Sequence, residues 1–368
     1  MTTEAERAGA FLTIDLGAIA DNWRKLRDRL GGAACAAVVK ADAYGLGAAA
    51  VAPVLARAGC DTFFVATLDE AIALRAAVAD ATVAVLNGLG PGCEDDFAGH
   101  RITPVLNDLG QIDCWSAFAR SHGRRDAMIH LDTGMNRLGL PAAEAGELAE
   151  NPARLDGLNV RLIMSHLACA EDRNNPMNAA QRDRFDALRR KLPTAPASLA
   201  NSSGVFLGPG YHYDMARPGV ALYGVNPTPG DPNPMKEVVR LQGRIIQLRD
   251  VDTSQTVGYG AAHKVAAPGR IATVPVGYAD GFLRSLGNRA SAAIGDERVP
   301  VVGRVSMDLI TLDVSKLPPD RAVPGTLVDL IGGACPIDRV AESAGTIGYE
   351  LLTSLGSRYH RLYVGDVR

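Results

Sequence analysis

Lys40 is the residue best placed to do chemistry. It closes the apolar run AAVVK and opens the turn ADAYGLG, and only six of the 38 Lys and Arg residues are lysine. A lysine leaving an apolar strand is partly desolvated, which lowers its pKa and favours the neutral amine needed for a Schiff base. The bland alternative is a lysine snorkelling from a rim, and position alone does not separate the two. The six cysteines (Cys35, Cys60, Cys93, Cys114, Cys169, Cys335) show no CxxC and no cysteine–histidine spacing suited to zinc, so neither a metal site nor disulfides are expected.

The elements that must position Lys40 follow from the hydrophobic pattern. Short apolar runs alternate with helical-period segments from residue 32 to about 225. Expected strands are Ala36–Val39, Phe63–Ala66, Val83–Leu86, Thr103–Val105, Met128–Leu131, Arg161–Ser165, Ala197–Leu199 and Val220–Tyr223. Helices are expected at Ile19–Leu30, Leu68–Ala79 and Ala179–Leu192. Eight βα units give an α/β fold, an N-terminal (β/α)8 TIM-like barrel whose active site lies at the C-terminal ends of its strands, where Lys40 falls. A doubly wound open sheet is the runner-up, but no GxGxxG follows the first strand.

The stretch NPTPGDPNPM (Asn226–Met235) cannot be a helix interior or a central strand. It divides a barrel over 1–235 from a C-terminal mainly β domain over 236–368, with strands expected at Arg244–Leu248, Ile271–Val276, Val299–Val302, Ile310–Val314 and Leu327–Ile331. With 368 residues, 47% hydrophobic and 21% charged, the chain can bury a large core. A net charge of −3 offers no basic surplus for nucleic acid. No apolar stretch is long enough for a membrane span, and the N-terminus lacks the order of a signal peptide, so a cytoplasmic protein is expected.

The segment VVKADAYGLGA resembles the cofactor-lysine motif of the alanine racemases, pyridoxal 5′-phosphate (PLP) enzymes of the barrel-plus-β-domain type. The likeness continues through LDTGMNRLGL (131–140), SHLACAED (165–172), ANSSG (200–204), ARPGVALYG (216–224), VGYGA (257–261), VPVGYADG (274–281), GRVSMDL (303–309) and GYELLTSLGSR (348–358). It implies PLP-dependent interconversion of L- and D-alanine by two bases, supplying D-alanine for peptidoglycan. It also implies that the first strand, about 11–16, packs with the C-terminal domain, and that a head-to-tail homodimer shares its active sites.

Residue by residue, the resemblance makes Lys40 the cofactor lysine and one base, with Tyr259 the other base, supplied by the partner chain. Racemisation needs acid–base groups on both faces of a planar centre. A phenol with a pKa near ~10 needs help, and the resemblance supplies it through His166, linked in turn to Arg217. Arg217 is implied to contact the cofactor's pyridine nitrogen. Tyr44, Ser202, Gly219 and Val220 are implied to hold its phosphate. Arg137 and Met307 are implied to receive the substrate carboxylate, while Tyr278 narrows the entrance. Read alone, each has a plainer role, such as an ion-paired arginine or a core methionine. Two positions depart from the family pattern. His130 stands where many relatives have a lysine, and Ser357 replaces a phosphate-contacting tyrosine, which leaves room for larger substrates such as serine. The alternatives are a broad-specificity amino-acid racemase and a PLP-dependent lyase on a similar barrel.

Overall fold

The computed structural model describes residues 3–365. Its first sheet runs, in spatial order, Ala34–Cys35, Met215–Ala216, Ala197–Ser198, Leu158–Met164, Arg125–His130, Ile102–Leu106, Thr82–Val85, Thr62–Val65 and Ala37–Val38. The two ends of this order are halves of one strand interrupted at Ala36, so the sheet closes on itself as an eight-stranded parallel barrel. The N–H of Ala36 donates to the Ala216 carbonyl at 3.0 Å and that of Val38 to Pro218 at 2.9 Å, completing the seam. Strands such as Thr62–Val65 are buried at every position, as a sheet covered by helices outside and side chains inside requires.

Helices fall close to where apolar spacing puts them. Leu16–Arg29 is capped by the Asp15 carboxylate, which accepts the Ala18 N–H at 2.9 Å. It turns Ile19, Trp23 and Leu26 inward, and the Trp23 indole N–H donates to the Cys35 carbonyl at 3.1 Å, fixing the helix to the first barrel strand. One expected barrel strand fails. Val220–Tyr223 is a 3-10 turn, and the eighth strand is the shorter Met215–Ala216. The run VALY is buried throughout, and an apolar run buried on all sides has no periodicity to tell strand from turn.

The second sheet is mostly antiparallel and made almost entirely from residues beyond the linker: Gln247–Val251, Gly269–Val274, Ile310–Asp313, Glu297–Val302, Ser291–Ile294, Leu327–Ile331, Val239–Arg244, Ala10–Asp15 and His360–Val364, in that order. Ala10–Asp15 pairs antiparallel with Val239–Arg244 on one side and parallel with His360–Val364 on the other. The expected strand Arg244–Leu248 is instead the junction between Val239–Arg244 and Gln247–Val251. The strand reading did not include two helices, Ile337–Ala344 and Gly348–Ser354, and the second brings Tyr349, Glu350 and Thr353 of the β domain to the barrel mouth. No helix among the described residues is long and apolar enough to cross a membrane.

Candidate active site

A cavity of about 690 Å³ opens at the C-terminal mouth of the barrel. Of the residues singled out from sequence, Lys40, Tyr44, Arg137, His166, Ser202, Arg217, Gly219 and Val220 all line it, and so does His130.

Lys40 follows directly on the first strand, where the Val39 N–H still donates to the Phe64 carbonyl at 2.9 Å, so its backbone is held in barrel register. Burial, and then the Arg137 charge, push its amine below the ordinary lysine value, with Glu70 opposing. A larger neutral fraction at neutral pH results. The chain then passes through a left-handed turn, Ala41–Tyr44, in which four L-residues in succession have φ between 52° and 57°. Such conformations cost roughly 1–2 kcal/mol per residue, so the turn is strained where it leaves the lysine.

Arg137 is carried by the loop after Arg125–His130, shaped by the Asp132 carboxylate accepting the N–H groups of Gly134, Met135 and Asn136 at 2.9, 3.0 and 3.2 Å. Arg217 is buried. It donates to the Ser198 hydroxyl and, at 2.5 Å, to the Ser165 carbonyl, next in the chain to His166. Burial pushes the guanidinium down to about 9, which leaves it charged at neutral pH. No carboxylate pairs with it among the described residues, so this buried cation offers its donors to an acceptor in the cavity. His166 is held well below the ordinary histidine range, first by burial and then by the Arg217 and Arg137 charges, and is a neutral imidazole.

The same cavity holds a cradle for an anion. The Ser202 hydroxyl accepts the N–H groups of Gly219 at 2.9 Å and Ala221 at 3.2 Å, which frees its own proton to donate into the cavity. The Tyr44 hydroxyl lies so close to Gly219 that a β-carbon there would come within 2.3 Å of it. Only glycine lets that phenol reach the cradle, and Val220 opens its 3-10 turn at the same place. Hydroxyl and main-chain donors of this kind suit a phosphate, and the fully buried cation suits an aromatic nitrogen acceptor, so the residues fit PLP.

Tyr259, Tyr278 and Met307 do not reach this cavity within the chain. They are 71%, 43% and 54% exposed on the β domain. Tyr278 and Met307 belong to one zipped pair of loops, in which the Tyr278 N–H donates to Ser306 and the Ala279 N–H to Met307, each at 3.0 Å. The Tyr259 turn packs beside the same loop, since a β-carbon on Gly260 would meet the Arg304 guanidinium at 3.0 Å.

Ser357 does not line the cavity. Tyr349 does, its ring centroid 6.1 Å from that of Tyr44 and its hydroxyl donating to Glu171 at 3.3 Å. Sequence reading quoted the GYELLT segment without singling out this tyrosine. It also missed Asn107, whose amide group donates to the carbonyls of Leu86 at 3.1 Å and Val105 at 3.0 Å. That orients its oxygen toward His130 Nδ1, 2.8 Å away, so Nδ1 carries the proton and donates. Burial, and then Arg217, lower His130 to about 4, with Arg137 contributing less and Asp132 opposing.

A histidine kept neutral in the fold stabilises it fully above the unfolded value, and that stability drains as pH falls from about 6.5 toward 4. By pH 5 the loss is on the order of 2 kcal/mol from His130, with His166 adding in the same direction. Chemical denaturation of wild type and His130→Gln at pH 7.5 and 5 checks this: the variant is expected to lose less stability on acidification, and equal losses would exclude His130 as the source.

A closed barrel with amine and guanidinium groups gathered at one mouth, joined to a mostly β domain, puts the chain in the barrel-plus-β-domain class. Its two parts match the alanine racemase N-terminal domain over residues 14–227 and the alanine racemase C-terminal domain over residues 238–363, and the chain belongs to the alanine racemase family. It is 53% identical over 361 residues to a catabolic alanine racemase of Mesorhizobium japonicum, covering 97% of this chain and 94% of that one. It is 52% identical over 363 residues to the alanine racemase of Rhodospirillum rubrum, covering 98% and 97%. Among solved structures, alanine racemase from Bartonella henselae with covalently bound pyridoxal phosphate superposes with a TM-score of 0.94 at 40% identity, covering 97% of this chain and all of that one.

Proposed function

We propose that the protein is a PLP-dependent alanine racemase, a cytoplasmic homodimer that interconverts L- and D-alanine and supplies D-alanine for peptidoglycan. Family membership supports the reaction. The observation that carries the site assignment is that an amine-bearing Lys40, a buried cation at Arg217 and the anion cradle of Tyr44, Ser202, Gly219 and Val220 share one cavity.

When bound, PLP supplies an electron sink that acidifies the Cα–H bond of an amino acid. Lys40 would be the attachment point, its amine pushed toward the neutral form by burial, and its free amine would move a proton at one face of Cα. Arg217, charged at neutral pH, would donate to the pyridine nitrogen and hold it unprotonated. Held so, the ring would be a weaker sink, which would favour return of the proton to Cα over transamination. Arg137 takes the substrate carboxylate. The second proton-moving group is Tyr259, assisted by His166. Because Tyr259, Tyr278 and Met307 stand exposed on the β domain, away from their own chain's cavity, the reading assigns them to the other subunit's site in a dimer with two shared centres.

Two measurements test the reading. Purified protein with PLP, given L-alanine, L-serine or L-ornithine, is expected to form chiefly D-alanine by chiral chromatography. A faster reaction on serine would make it a broad-specificity racemase, and loss of the carboxylate or side chain would make it a lyase. Borohydride reduction and peptide mapping are expected to leave the pyridoxyl label on Lys40, and a label on any of the other five lysines would refute the assignment.

A further inference from the structure

The left-handed turn after Lys40 contains no glycine before Gly45 and persists only because its surroundings over-determine it. Part of the restraint is internal. The Ala43 N–H donates to the Val39 carbonyl and the Gly47 N–H to the Asp42 carbonyl, both at 2.9 Å, while the Asp42 carboxylate accepts the Ala48 N–H at 2.7 Å. Part comes from the β domain, where Arg361 donates to the Gly45 carbonyl at 2.7 Å and the Tyr363 hydroxyl to that of Leu46 at 3.0 Å. Neither set engages the amide nearest the lysine. The Ala41 N–H instead donates to Glu70 Oε1 at 2.7 Å. The other oxygen, Oε2, accepts the N–H groups of Ala66 at 2.8 Å and Thr67 at 3.3 Å, closing the capping box of the helix Leu68–Arg75. One carboxylate therefore ties the first barrel loop to the second.

We propose that Glu70 is a positioning residue for Lys40, pinning the amide that follows it and so fixing where the lysine side chain leaves the strained turn. The inference rests on Lys40 being the PLP attachment point. It has an electrostatic side as well. The groups acting on the amine are Arg137, which pushes it down, and Glu70, which pushes it up, while His166 is neutral and the Asp42 carboxylate is engaged with Ala48. Glu70 is thus the opposing negative charge, and removing it acts on Lys40 through both geometry and charge.

The test follows PLP release from the full-length holoenzyme into an excess of a competing PLP-binding protein. Glu70→Gln is expected to release PLP roughly tenfold or more faster than wild type, the scale of losing a charge-assisted hydrogen bond. Thr67→Ala weakens the same helix cap but leaves the bond to Ala41, and is expected to release PLP at close to the wild-type rate. On protein stripped of cofactor, the acid limb of PLP capture is expected to move to lower pH in Glu70→Gln, because the amine has lost its negative neighbour. In Glu70→Asp, with charge kept but reach shortened, release is expected to be fast and the limb unmoved. Equal release from Glu70→Gln and Thr67→Ala, or an unmoved limb in Glu70→Gln, would overturn the proposal.

Hydrogen exchange at the Ala41 amide of the wild-type holoenzyme gives a result even if the variants fold poorly. Protection of at least about a hundredfold over an open loop is expected, and open-loop exchange would also overturn it. Labelling of Lys40 in wild type tests the underlying reading separately.

Discussion

Lys40→Ala and Tyr259→Phe, each nearly inactive alone, are expected to recover roughly a quarter of wild-type activity when unfolded together in equal amounts and reassembled. Random pairing makes about half the dimers mixed. If each site takes Lys40 from one subunit and the partner's Tyr259 from the other, a mixed dimer has one site carrying both lesions and one carrying neither. The structure gives this experiment its force, because Lys40 lines the barrel cavity while Tyr259 stands 71% exposed on the β domain of the same chain. If both residues served one site from one chain, every site would keep a lesion and mixing would restore nothing. No recovery despite mixed dimers demonstrated by mass spectrometry would exclude the shared site.

In deuterated solvent, Tyr259→Phe is expected to lose most α-proton exchange from L-alanine, by roughly two orders of magnitude or more, while keeping appreciable exchange from D-alanine. Overall rates cannot show this, because the equilibrium constant of one makes kcat/KM fall equally in both directions. Exchange reports each face separately. The phenol removed is the group that handles one enantiomer's proton, and the amine of Lys40, still in place on the other face, continues to handle the other. Equal loss from both enantiomers, read by proton NMR, would count against the facial assignment.

The barrel was legible in the chain because its strands are apolar on both faces and its helices carry apolar residues at helical spacing, as in Thr62–Val65 and Leu16–Arg29. Its eighth strand was not, since Met215–Ala216 is two residues long and the neighbouring VALY is the stronger apolar run. Motif residues such as Lys40, Arg217 and Ser202 could be picked out because their chemistry is tied to short local patterns. Glu70 and Asn107 could not. Their roles depend on which amide or imidazole another loop brings within 2.7 or 2.8 Å, and nothing local to either residue encodes that partner. The left-handed turn was equally hidden, because KADAY has no residue that prefers positive φ strongly enough to announce it.

The pairing of Ala10–Asp15 sets a schedule for synthesis. Its neighbours, Val239–Arg244 and His360–Val364, leave the ribosome long after it does. With roughly 230 residues intervening before the first of them, and translation at about 5–20 residues per second, the segment AFLTID waits on the order of ten to fifty seconds without a partner. An apolar, β-prone stretch without its sheet neighbours is open for that interval to pairing with other nascent chains on the same polysome. The barrel helices can pack meanwhile, and the strand gains its first neighbour at Val239–Arg244 and its second only at His360–Val364. A chain cut short before residue 360 would keep one edge of that strand unpaired, its N–H and C=O groups open to another chain.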